Sequence, residues 1–209
     1  MAATNRVLIL FAHPALEKSR VHRYFIRGLD SMEGVTFHDL YENYPDLHIQ
    51  APREQELLAA HDIIVLQHPF YWYSSPSILK EWQDLVLQFG FAYGDNGTAL
   101  RGKKMLTAIT TGGPEDSYTT EGFNRFTIRQ LLAPFEQTAH LCGMEYLPPY
   151  VIHGIHRLTQ DEVNTHTAEY HRLILALRDG TADWQKARNW PRLNHDLSQI
   201  LLPAQTDHA

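Results

Sequence analysis

The chain has 209 residues and a formal net charge of −6, with 44% hydrophobic and 20% charged residues. That suits one globular domain with a real core and a short extension, and the acidic balance argues against nucleic acid as a partner. A single cysteine, Cys142, excludes an internal disulfide framework and fits a reducing compartment.

In chain order, residues 7–12 form an apolar run too short for a membrane span or a signal segment, and they read as a first strand. Residues 19–31 have helical spacing, with Val21, Phe25 and Leu29 four apart. Residues 35–40 alternate as a second strand. Pro52 sits at the favoured opening position of a helix reaching Ala60. Residues 63–67 are a third strand, continuously apolar as in a sheet covered on both faces. Residues 77–89 return to helical spacing through Ile78, Trp82, Leu85 and Phe89, so that Trp82 is buried. Residues 104–111 are a fourth strand. Pro134 kinks or divides a helix over 127–141, and Cys142 at its end reads as a buried structural thiol. Pro148 and Pro149 break a fifth strand over 145–152. Residues 162–177 are an amphipathic helix on Val163, Tyr170, Leu173, Ile174 and Leu177. Residues 1–180 thus make one domain. Residues 181–209, with Trp184 and Trp190 but weak periodicity, form an extension that packs on the surface or on a partner subunit. The thirteen histidines show no HExxH motif and no Cys–His pairing. No metal site is expected, and most of them read as surface polar residues.

Strands alternating with helices predict a three-layer α/β sandwich around a five-stranded parallel sheet of order 2-1-3-4-5, the flavodoxin-like arrangement. Ligands of such sheets sit beyond the carboxyl ends of the strands, where strand order reverses. Three unusual loops fall there. "HPALEKSRVH" has no P-loop and no GxGxxG. Ser19 in it either caps its own helix or adds a hydroxyl to a phosphate cradle at the helix start, where Arg20 or His22 adds charge. "PFYWY", residues 69–73, offers stacking surface for a flat ring or packing surface for another subunit. "TTGG", residues 110–113, permits close backbone approach through Gly112 and Gly113, or is an ordinary turn. Together the three suit a flavin mononucleotide.

The stretches "LILFAHP", "HDLYENYPDLHI", "QHPFYWYSSPSILKEWQD", "FAYGDNGTALRGKK", "ITTGGPEDSY" and "CGMEYLPPYVIHG" resemble the flavodoxin-like NAD(P)H dehydrogenase (quinone) family. Within it they resemble most the bacterial ancillary proteins of glutathione-regulated potassium-efflux systems, over roughly residues 6–178. The resemblance implies that His13 borders the flavin phosphate and that Ser19, Arg20, Val21 and His22 form the phosphate loop, His22 standing where the family usually has Asn. It implies that Pro69, Phe70, Tyr71, Trp72 and Tyr73 run along the isoalloxazine ring, with Trp72 and Tyr73 on the flavin side. Thr110, Thr111, Gly112 and Gly113 meet the pyrimidine edge, where the two glycine amides stabilise negative charge. Tyr118 is an active-site tyrosine that donates a hydrogen bond or a proton. Tyr93 and Asn124 belong to the substrate pocket, and Asn124 stands where mammalian relatives have a histidine. FMN rather than FAD is the implied cofactor, NAD(P)H the co-substrate and a quinone the acceptor. The implied assembly is a cytoplasmic homodimer. The alternative role, compatible with the first, is a regulatory subunit in peripheral contact with a potassium-efflux membrane protein at the inner face of the cell membrane. A one-electron carrier of the flavodoxin type fits less well, because its phosphate loop would be short and rich in Thr, Ser and Gly.

Overall fold

A computed structural model describes residues 5–201. Strands β1 (Val7–Phe11), β2 (Val35–Asp39), β3 (Ile63–Pro69) and β4 (Lys104–Thr110) run parallel. The fifth lane is divided: β5 (Glu145–Tyr146) pairs with the start of β4 and β6 (Tyr150–Ile152) with its end. Pro148 and Pro149 lie in the gap, where they cannot donate to a ladder. The order is β2-β1-β3-β4-β5, with β6 also on β4.

The strands are apolar on both faces because both faces are covered. Val7, Ile9, Ile63, Val65, Leu106 and Ala108 point into one layer. That layer is built from α1 (His22–Phe25) and α7 (Gln160–Asp179). Leu8, Leu10, Ile64, Leu66, Met105 and Ile109 point into the other. Its helices are α3 (Ala51–Ala60), α4 (Ser77–Val86) and α6 (Ala133–Leu141). Between β2 and α3 lies a single helical turn, α2 (Leu40–Asn43), capped by the Asp39 carboxylate. Another, α5 (Ile128–Leu131), precedes α6, and Pro134 in the first turn of α6 marks the division between them. The long α7 is delimited at both ends: Thr159 and Glu162 form a capping box, and Gly180 closes it in the left-handed region at φ 65°. Cys142 is buried just beyond α6, and burial pushes its thiol pKa up. No helix among the described residues is long and apolar enough to cross a membrane.

One expectation is corrected. The helix expected over 19–31 shrinks to the single turn α1, because Gly28 takes φ 78° and the chain turns through a 3-10 segment at Leu29–Ser31. The histidines divide: among the described residues seven lie exposed or partly exposed, as expected of most, and five do not. His13, His22, His38, His61 and His68 are buried. All five are hydrogen-bonded inside the protein, His61 for example to the Leu57 carbonyl (2.6 Å) and the Thr36 hydroxyl (2.7 Å).

One buried polar node pins the second layer. Glu54 of α3 is fully buried. Its Oε1 takes His38 Nε2 (2.9 Å) and the Tyr44 hydroxyl (2.6 Å), and its Oε2 takes the indole N–H of Trp82 (2.8 Å). Burial alone would raise the pKa of this carboxyl. The bonds from His38, Tyr44 and Trp82 outweigh it and hold the pKa below the usual range. The hydroxyl of Tyr44 is pushed up to about 12, first by burial and then by Glu54.

After α7, the segment 181–201 returns to the protein. Short helices α8 (Trp184–Ala187) and α9 (Leu197–Ile200) flank a 3-10 turn at Leu193–His195. Ala187, Leu193, Leu197 and Ile200 are buried in the α7 layer.

Candidate cofactor site

At the carboxyl ends of β1, β3 and β4 lies a cavity of about 420 Å³, within the usual size range of small-molecule sites. The β1 loop contributes His13, Ala15, Lys18, Ser19 and Arg20, the β3 loop Pro69, Phe70 and Tyr71, and β4 with its loop Thr110 and Gly112. Ile155 and His156, from the loop after β6, complete it.

The β1 loop is held by its own hydrogen bonds. Ser19 Oγ accepts from the His22 amide (3.0 Å), so the hydroxyl caps the turn while the residue also lines the cavity. The Arg20 guanidinium donates to the carbonyls of His156 (3.1 Å) and Leu158 (2.8 Å), which fastens the first loop of the sheet to the last. A helix of one turn has little dipole to offer an anion. The positive charge at this mouth comes from Lys18 and Arg20 instead. His13 Nδ1 accepts from the Ala15 amide (3.2 Å), and burial lowers the pKa of its ring, so the neutral ring carries its proton on Nε2.

Beneath the floor runs a buried polar chain. The Tyr170 hydroxyl donates to Gln67 Oε1 (2.8 Å), which leaves the Gln67 amide nitrogen facing His22 Nδ1 across a long 3.5 Å contact. His22 Nε2 then donates to Thr110 Oγ1 (3.1 Å). Burial, followed by the neighbouring His13 and His68, holds His22 well below the usual histidine pKa, so it is neutral with its one proton directed at Thr110. The donor order leaves the Thr110 hydroxyl proton for whatever occupies the cavity.

Close approach is possible on this floor. A Cβ at Gly112 would lie 3.2 Å from His156 Nε2, and one at Gly113 would lie 3.3 Å from the Tyr118 ring. Among the described residues neither glycine amide donates to a protein acceptor. Free amides, a free hydroxyl proton and the two cations Lys18 and Arg20 suit an anionic group plus the acceptor edge of a planar ring. The residues present therefore fit FMN.

Several expected contacts are displaced. Val21 is fully buried in the core. His22 reaches the cavity only through Thr110. In the aromatic run, Trp72 and Tyr73 take φ 50° and 60°, left-handed values that cost bulky residues energy. They turn the chain back on itself, and Tyr71 and Ser74 bridge across the turn. Phe70 and Tyr71 therefore line the cavity, whereas Trp72 is 94% exposed and the Tyr73 hydroxyl donates to Asn124 Oδ1 (3.0 Å). Trp72 and Tyr73, expected on the flavin side, thus lie outside the cavity lining in this geometry. Tyr93 packs edge-on against Phe89, outside the cavity lining. Tyr118 ends a 3-10 turn, Glu115–Tyr118, and stands behind Gly113. Its phenol pKa is raised by burial in the first place, so it stays protonated at neutral pH. Thr111, fully buried, gives its proton to the Gly113 carbonyl (2.8 Å) and accepts from His153 Nδ1 (3.1 Å), which locks the tight turn from behind.

The lining residues missing from the sequence expectations are Ala15, Lys18, Ile155 and His156. The last two follow the fifth lane in "VIHGIHR", and their place at a strand's carboxyl end was the signal for them.

A parallel sheet ordered 2-1-3-4-5 with a crevice at the β1–β3–β4 ends defines a doubly wound α/β protein of the mononucleotide-binding kind. The chain belongs to the family described as having a flavodoxin-like fold, whose model matches residues 5–174. It is 45% identical over 170 residues to the glutathione-regulated potassium-efflux system ancillary protein KefG of Serratia proteamaculans, covering 81% of this chain and 93% of that one. The solved general stress protein 14 of Treponema denticola, in complex with FMN, is 36% identical with a TM-score of 0.77, covering 82% and 99% of the two chains. The NADPH-quinone reductase of P. pentosaceus is 33% identical with a TM-score of 0.73, covering 80% and 96%.

Proposed function

We propose that the protein is an FMN-dependent oxidoreductase that passes two electrons from NAD(P)H to a quinone. The observation that carries this reading is the floor of the cavity, where the unpaired amide of Gly112, followed in the same turn by that of Gly113 just outside the lining, stands beside a Thr110 hydroxyl oriented as a donor. The FMN of the Treponema structure and the activity named for the P. pentosaceus protein support it.

Bound FMN would supply the two-electron redox chemistry. Lys18 and Arg20 would hold its phosphate, and Phe70 and Tyr71 would flank its ring. The glycine amides are preorganised dipoles for negative charge gained on reduction, held by the Thr111 hydroxyl and so needing no reorganisation. Tyr118, a neutral phenol behind Gly113, is the nearby proton-bearing group.

Trp72, Phe89, Phe123 and Phe126 are 94%, 70%, 89% and 53% exposed. Such a set of exposed rings supports a homodimer. The likeness to KefG supports a second, compatible role: peripheral regulation of a potassium-efflux transporter from the cytoplasmic face. Identification of the cofactor extracted from the purified protein, followed by anaerobic NADPH titration and quinone addition, tests the first role. A colourless protein whose NAD(P)H oxidation is not stimulated by FMN overturns it. Co-purification with such a transporter tests the second.

A further inference from the structure

Residues 181–201 lie beyond the family match, which ends at 174, yet they reach the working end of the sheet. β6 is the outer strand there, and an open strand edge is normally paired or covered. The Asn194 side chain covers it as a strand would. Its Oδ1 accepts from the Val151 amide (3.0 Å), and its Nδ2 donates to the Val151 carbonyl (2.8 Å). The Leu193 amide adds a bond to the Pro149 carbonyl (2.8 Å). Two residues beyond Val151 is His153, bonded to Thr111 and with its ring 5.4 Å from that of Tyr118.

The same segment grips Tyr118 from the other side. Arg192 pairs with Glu115 at the start of the 3-10 turn that ends in Tyr118. Arg129 of α5 donates to the carbonyls of Arg188 and Trp190, both at 3.3 Å. Between these contacts lies a cavity of about 200 Å³ behind Tyr118, closed by Pro191 and Arg192 against Ile128, Val151 and His153. Tyr118 is therefore the wall between the front cavity's glycine turn and a space roofed by the C-terminal segment.

We infer that Asn194 and Arg192 are positioning residues: the C-terminal segment clamps β6 and the Glu115–Tyr118 turn, and so holds His153, Thr111 and Tyr118 in register behind Gly113. Asn194 is the stronger anchor. Its two bonds lie at a part-buried strand edge, whereas the Arg192–Glu115 pair is half in water, where such pairs contribute little. The functional part of the inference rests on the proposed reductase activity, and the structural part does not.

The test uses the full chain. Hydrogen exchange is followed by mass spectrometry in Asn194→Ala, Arg192→Ala and the charge-swapped pair Glu115→Arg with Arg192→Glu. Asn194→Ala should speed exchange at residues 115–118 and 150–153 about five-fold or more, the scale of one lost net hydrogen bond, with β1 and β3 unchanged. Arg192→Ala should do so more weakly, and the swapped pair should restore the Arg192→Ala loss. In the FMN-loaded protein, Asn194→Ala should lower kcat with FMN affinity and the KM for NADPH held. Unchanged exchange at 115–118 in Asn194→Ala overturns the clamp, and a uniform rise over the whole sheet overturns it by showing general loosening. If the wild-type chain reduces no quinone, the reductase reading falls while the exchange result still decides the clamp.

Discussion

Two buried polar networks flank the sheet, and they end differently. Around Glu54 both carboxylate oxygens are taken, with two donors on Oε1 and one on Oε2. Around Thr110 the chain of donors runs from Tyr170 through Gln67 and His22 and then stops with one hydroxyl proton unspent, beside two unpaired glycine amides. Buried polar groups are almost always satisfied within the protein or by something bound to it. The closed network holds α2, α3 and α4 together, and the open one is a place for a ligand. Burial and residue type do not separate the two cases, since both contain a buried histidine and tyrosine.

The comparison breaks most visibly at Glu54. Glu54→Ala strands three buried donors, and at roughly 1–3 kcal/mol for each orphaned group it should cost at least about 3 kcal/mol in urea unfolding. A loss below about 1 kcal/mol would mean the network is not closed as described. Acid next sets the Glu54 node against a buried histidine that belongs to neither network. His68 is fully buried with its pKa lowered to about 4 by desolvation. Between the unfolded value near 6.5 and that folded value, the unfolded chain binds more protons, so stability falls as pH falls across that window, by roughly 3 kcal/mol for His68 alone. Glu54, with its lowered pKa, contributes fully above the ordinary carboxylate value and loses that contribution only as pH drops through its folded value. His68→Leu should make the fall in unfolding free energy between pH 6.5 and 4 shallower, the rest coming from His22 and His153, whose pKa values burial also lowers, whereas Glu54→Gln should act mainly on the acid limb below it.

A smaller effect is expected at the open end. Thr110→Val should weaken FMN binding about ten-fold, near 1.4 kcal/mol, by fluorescence titration, and Thr110→Ser should restore it. Equal affinities in all three proteins would show that the hydroxyl proton is not used. The smallest change is at the rim. Trp72→Gly removes a left-handed penalty of about 1 kcal/mol and little packing, so thermal stability should hold or rise slightly. Self-association, followed by sedimentation, should weaken, and an unchanged association constant would remove Trp72 from the interface.

The strand order and the two apolar layers were legible because the central strands carry continuous apolar runs, the second strand alternates, and the long helices keep their own period. The proline breaks near 134 and 148 were equally plain, since a missing N–H is a local fact. Long-range partners were not legible. Nothing near His22 in the sequence names Thr110 or Gln67, and nothing near Glu54 names Trp82, so buried histidines looked like surface ones. The aromatic run failed differently. Its composition pointed to the right loop, but which rings turn inward depends on two left-handed residues that no side-chain pattern announces in Trp72 and Tyr73. In the loop after β1, helical spacing over 19–31 suggested a dipole, and the positive φ of Gly28 cut that helix to one turn.

The single cysteine bears on the proposed chemistry from another side. Quinones are Michael acceptors, and they arylate thiolates far faster than thiols. Cys142 is only 4% exposed, sits in an apolar surround and has a raised pKa, so it presents neither the ionised sulfur nor the access such an electrophile needs. If the proposed quinone chemistry takes place at one end of the sheet, the one thiol of the chain sits where arylation by such a substrate has no foothold.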